Sequence, residues 1–141
     1  MPDDVIAPVR ARAVRPKHAA SLIVLRLRQD EPEMLMGTRG SKHRFMPNRL
    51  VFPGGRVDPA DARAPCASAL SARTQWALAR NGGPRLAHAL AAAAARELRE
   101  ETGLSLGDPP RLDVLHYLAR AVTPPSSPSR FNARFRVVDA A

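Results

Sequence analysis

One helix constrains this chain more than any other feature. From Arg85 to Thr102 the sequence contains no glycine or proline, includes the run Ala91–Ala95, and is framed by Pro84 and Gly103. Alanine has the best intrinsic helix propensity, proline suits the first turn, and glycine suits the position just past the end. The last turns carry Arg96-Glu97-Leu98-Arg99-Glu100-Glu101. At about 100° per residue, Glu97 and Glu101 lie about 40° apart around the axis, and Glu97 and Glu100 about 60°. Three carboxylates therefore share one stripe. Left unpaired they repel one another, and acid near a helix C-terminus opposes the macrodipole. A hard divalent cation such as Mg²⁺, which takes oxygen ligands from a few carboxylates and substrate phosphates, removes the conflict. The alternative is a solvated helix face on which Arg96 and Arg99 pair with the glutamates.

Composition narrows the class. The 141 residues allow one domain with a core of its own. A hydrophobic share of 45% with 25% charged residues is globular rather than disordered. The single Cys66 excludes an internal disulfide and a cysteine-based zinc cage. The longest strictly apolar run, Ala89 to Ala95, falls far short of the roughly 20 residues that span a bilayer. The opening Met1-Pro2-Asp3-Asp4 is no signal peptide, so a soluble, cytoplasmic chain without membrane partners is expected. Lys and Arg number 22 against 13 Asp and Glu, a net charge of +9. The cations are scattered and aromatics are only 4%, which leaves little for base stacking. A solvated basic surface is thus favoured over nucleic-acid binding, and would attract phosphorylated small molecules.

Residues 1–18 read as an N-terminal leader and 19–141 as one domain. Strands are expected over 21–28, 33–38, 50–52, 112–118 and 130–138, with a helical segment over 65–80 before the main helix. Pro53-Gly54-Gly55 stops the third strand, Asp58–Asp61 is a turn, and Thr123–Ser129 is loop. Strands, then helix, then strands again indicate α/β or α+β with a mixed sheet.

Arg96 to Leu104 resembles the second half of the Nudix box, G-x5-E-x7-R-E-U-x-E-E-x-G-U with U apolar. Arg96, Glu97, Leu98, Glu100, Glu101, Gly103 and Leu104 meet its seven specified positions. Phe52-Pro-Gly-Gly55 and the acidic Asp61, six residues beyond Gly55, resemble the first half, with Asp where the family usually has Glu. Between Asp61 and Arg96 lie 34 residues where the box has 7, an insertion placed at about 62–84. The resemblance implies an α/β/α sandwich with a mixed sheet. This sequence stops after the 130–138 strand, so the closing C-terminal helix of that fold is not expected within it. This short ending leaves open a homodimer, in which a second copy completes the fold, or an inactive fragment.

The family resemblance implies hydrolysis of a pyrophosphate bond in a nucleoside diphosphate linked to another moiety, with Mg²⁺ or Mn²⁺ as cofactor. Glu97, Glu100 and Glu101 would hold the metal, and Arg96 would orient Glu97. Gly54 and Gly55 would let the backbone approach the helix, and Arg39, Lys42 and Arg44 could bind phosphate. Arg44, Asn48 and Phe52–Gly55 keep the spacing of an element from the coenzyme A diphosphatase branch, with Asn48 in place of its glycine. Coenzyme A derivatives are one candidate substrate class. A catalytically weak Nudix-like module that binds a nucleotide or a partner protein is the alternative, and a basic nucleic-acid-binding domain ranks last. His18, His43, His88 and His116 show no metal-ligand spacing, with His116 expected to be half-buried on a strand. Trp76 is expected to anchor the inserted helix, and Cys66 to be an inert thiol.

Overall fold

A computed structural model describes residues 14–38, 50–80 and 82–140. Strand β1 (Lys17–Arg28) forms the spine of a mixed sheet. It turns back through Gln29 and Asp30 into β2 (Glu31–Met34), which pairs with it antiparallel. β3 (Gly37–Thr38) and β4 (Leu50–Val51) form a separate two-stranded ribbon. β5 (Gly54–Arg56) returns antiparallel to the start of β1. After the helices, β6 (His116–Val122) and β7 (Phe131–Asp139) form an antiparallel pair, and β7 runs parallel to β1. The order β2-β1-β7-β6, with β5 on β1, is the mixed sheet expected of an α+β chain. β7 is the last element among the described residues.

Two α-helices pack on one face of this sheet. α2 (Gly83–Thr102) ends at Gly103, whose φ of 77° is the left-handed cap that glycine adopts without strain. Every residue from Ala89 to Ala95 is buried, so this part of the helix is covered all round. Alanine fits because it lets two neighbours approach at once. Ala91 and Leu98 meet Leu22, Val24 and Val138 of the sheet, while Ala93 and Ala94 meet Ala20. On its outer side α2 carries a 3₁₀ turn (Pro59–Arg63) and α1 (Ala72–Ala79). Leu78 of α1 packs on Ala87 and Leu90. Among the described residues no helix is long and apolar enough to cross a membrane.

Four local expectations change. The helix expected over 65–80 forms only from Ala72, where the Ser71 hydroxyl accepts from the Thr74 amide. The preceding stretch is extended, and Ser68 bridges to Arg111. Trp76 is 68% exposed with the Arg80 guanidinium 5.2 Å from its ring centre, so Leu78 anchors the helix instead. The strand expected over 112–118 starts at His116, because Leu112 and Leu115 plug the core as a turn. His116 is exposed rather than half-buried. Cys66 packs against this core as a free thiol.

The face of β7 that meets the helices is unusual. Asn132, Arg134, Arg136 and Val138 are buried, and Phe131, Ala133, Phe135 and Val137 between them are only partly covered. Arg136 is fully buried. Burial, then the nearby Arg134 charge, pushes its guanidinium down to about 9. A base depressed in the fold costs stability in full below that value, and the cost fades only as pH climbs toward its unfolded range. Tyr117 and Arg134 are the titratable groups that bear on it. Arg136→Met is therefore expected to stabilise the chain by about 2 kcal/mol at neutral pH, in the range for replacing buried charge by an apolar group. The gain in melting temperature should shrink at high pH.

Candidate functional site

The C-terminal turns of α2 converge on the β4–β5 loop. The guanidinium of Arg96 is the hub. Its Nε and Nη2 donate to the two carboxylate oxygens of Asp61 at 3.0 Å each. Nη1 donates to Glu97 Oε1 at 2.9 Å and to Glu100 Oε2 at 3.3 Å. Nη2 also reaches the Arg56 carbonyl at 3.2 Å and the Asp58 carboxylate at 3.4 Å. Asp61 is 3% exposed and accepts from the Asp58 amide at 2.7 Å. The Asp61 hydrogen bond, opposed by burial and aided by the remaining carboxylates, holds Arg96 above its ordinary range. This fork-on-fork pair is the geometry in which a buried ion pair repays its desolvation. Residues 35 apart in sequence thus become one unit.

Glu97 and Glu100 face Arg96, whereas Glu101 turns toward the loop and accepts from the Gly54 amide at 3.1 Å. The loop can come this close only as glycine. A Cβ on Gly55 would stand 2.5 Å from Glu97 Oε1, and one on Gly54 would strike the Ala20 carbonyl. The two collisions differ in kind. Backbone cannot move aside cheaply, but a carboxylate can rotate. Gly54→Ala is therefore expected to lose about 1–3 kcal/mol of stability, the usual cost of overpacking. Gly55→Ala should melt closer to wild type, with Glu97 displaced from Arg96. Thermal melts of the two variants check this order.

Among the described residues no three His, Cys, Asp or Glu side chains are already gathered as a metal cluster. The donor chemistry nevertheless suits a hard cation. Glu97, Glu100 and Glu101 supply carboxylate oxygens along one ridge, and the Glu100 side chain is 58% exposed and accepts from Arg96 at 3.3 Å. Beside the ridge a groove of about 1240 Å³ runs over Gly54, Gly55, Glu101 and Thr102 to Ala133 and Phe135 on the far face of the sheet. That is ample for a drug-sized ligand or larger.

Of the residues expected to contact substrate, Gly54 and Gly55 line this groove. Arg39, Lys42, His43, Arg44 and Asn48 lie outside the described residues. His88 sits away from the ridge, with Nε2 at 2.7 Å from the Ala64 carbonyl. Asp58, unremarked in the sequence beyond its place in a turn, joins the Arg96 hub because the 3₁₀ turn presents it beside Asp61.

A NUDIX domain family model matches residues 16–140. The chain belongs to the Nudix family. The chain is 30% identical over 74 residues to an uncharacterized Nudix hydrolase, NudL, of Enterobacter sp. (strain 638). That match spans 52% of this chain but only 38% of the relative. A solved NUDIX hydrolase from Alicyclobacillus acidocaldarius superposes with a TM-score of 0.70 at 26% identity, over 92% of this chain and 72% of that one. The NUDIX domain of Shewanella oneidensis NrtR, solved with ADP ribose, shares the fold at a TM-score of 0.55 and 14% identity, over 91% and 62% of the two chains. The mixed sheet with helices is thus the Nudix fold.

Proposed function

We propose that this Nudix chain hydrolyses the pyrophosphate bond of a nucleoside diphosphate linked to another group, with a divalent cation, Mg²⁺ or Mn²⁺, held by Glu97, Glu100 and Glu101. The observation that carries this reading is the acidic ridge at the mouth of a groove whose glycine-lined wall admits a ligand to the carboxylates. Such a cation, when bound, neutralises pyrophosphate oxygens and acidifies water. The chain's own residues do the positioning. Asp61 fixes the Arg96 fork, which in turn aims Glu97 and holds Glu100 within reach. The Gly54 amide orients Glu101. Gly54 and Gly55 keep Cβ atoms out of the approach. Membership of the Nudix family supports a substrate of this class, and the ADP ribose bound by the fold neighbour NrtR is compatible with it. Coenzyme A derivatives enter through the Arg44-to-Gly55 spacing alone.

Phosphate-linked product release from a panel of such substrates, ADP-ribose and coenzyme A included, tests this. Release should require Mg²⁺ or Mn²⁺ and stop on addition of EDTA. A folded chain that binds one of these compounds yet releases nothing with either metal would leave the second reading, a nucleotide-binding module. The grip of Arg96 on Glu97 and Glu100 is what favours that alternative.

A further inference from the structure

The Nudix chemistry leaves the buried charge of β7 without a use. Arg134 is 2% exposed; its Nη1 contacts His18 Nδ1 at 2.7 Å and donates to the Asn132 carbonyl at 3.1 Å. A guanidinium can only donate, so His18 Nδ1 is the acceptor of that contact, and burial first, then Arg134 and Arg120, lowers the proton affinity of the ring. Arg134 Nη2 and all three side-chain nitrogens of Arg136 lack a partner among the described residues. Groups of this kind cost heavily when buried without a counter-charge. Beside Arg134 opens a cavity of about 220 Å³, lined by Ala77, Arg80, Tyr117, Arg120 and Arg134. Three of its lining residues are arginines and none is Asp or Glu. It shares no lining residue with the groove at the glutamate ridge.

We propose that this cavity binds a phosphate group, free or as a monoester, between Arg80, Arg120 and Arg134, with the charge of Arg136 behind it. Guanidinium forks match phosphate oxygens in geometry as well as charge. Arg134 Nη2 is already desolvated and lacks a partner among the described residues, so an anion seated against Arg134 would supply the acceptor that the fold does not. The volume is below the roughly 300 Å³ at which drug-sized pockets begin, so it holds the phosphate group itself and leaves the organic part of any ester outside. Arg134 and Arg136 face the same way because they are two apart on one strand, which adds their fields. Inorganic phosphate needs only the cavity itself; a monoester must also pass its organic group out past Arg80 and Tyr117.

The test is thermal melting in EDTA, which keeps the carboxylate ridge free of metal, at ionic strength held constant with sodium chloride. Inorganic phosphate is titrated in one arm and AMP in the other. Phosphate also stabilises proteins generally by exclusion from their surface, so saturation and variants decide. The melting temperature should rise saturably in at least one arm. Arg134→Met should weaken the apparent affinity by about 10- to 100-fold, the worth of a charge-assisted hydrogen bond. Arg136→Met, which keeps the fold, should weaken it too and keeps the test available if Arg134→Met fails to fold. An unsaturable rise in both arms, no rise, or the same saturable rise in Arg136→Met as in wild type would overturn the proposal.

Discussion

Glu100→Gln is expected to lower metal-dependent pyrophosphate hydrolysis by about 100-fold or more without measurable loss of fold. The magnitude is that of removing a positioned group which handles a proton or a metal-bound water. The fold should survive because the Glu100 side chain is 58% exposed and, among the described residues, its contact is the 3.3 Å hydrogen bond from Arg96. An exposed pair of this type contributes at most about 1 kcal/mol. Initial rates against Mg²⁺ concentration, beside a thermal melt, separate the two effects. Equal rates for variant and wild type would remove Glu100 from the metal site.

Arg96→Met should have the largest effect on stability. It strands the carboxylate of Asp61, which is 3% exposed, with only the Asp58 amide to satisfy it. Breaking a buried pair by deleting one partner costs about 3–5 kcal/mol. The Arg96 side chain is itself 27% exposed, so the lower end, about 3 kcal/mol, is expected. For a domain of this size that corresponds to a melting temperature lower by roughly 10 °C. Glu97 and Glu100 would also lose their common counter-charge, so activity should fall together with stability. The double variant Arg96→Met/Asp61→Leu removes both charges and should recover much of the stability but none of the activity. Recovery of both would mean that Arg96 only holds the fold.

The legible parts of the fold are those written in local chemistry. Pro84, the alanine run and Gly103 bound α2 to within two residues of its observed start, because propensity and capping act over a single turn. β1 and β7 were legible from apolar and alternating patterns, and the glutamate ridge from helical spacing alone. α1 was overextended because Pro65–Leu70 has helix-compatible composition but packs as extended chain against Arg111 and Leu112. β6 was placed too early because Leu112 and Leu115 look the same to a pattern whether they sit in a strand or plug a core from a turn.

From Arg96 to Leu104 the sequence by itself determined which residues share a helical ridge, since that depends only on 3.6 residues per turn. It did not determine what those residues touch. Only the tertiary structure places Asp61 in the Arg96 fork, because the chain between them must first pass through α1 and then run along most of α2. Only the tertiary structure, likewise, turns the Arg134–Arg136 side of β7 toward the helices and its aromatic side toward the groove. Alternation fixes that two faces exist, with period two, but which of them lies inside depends on what packs against the strand.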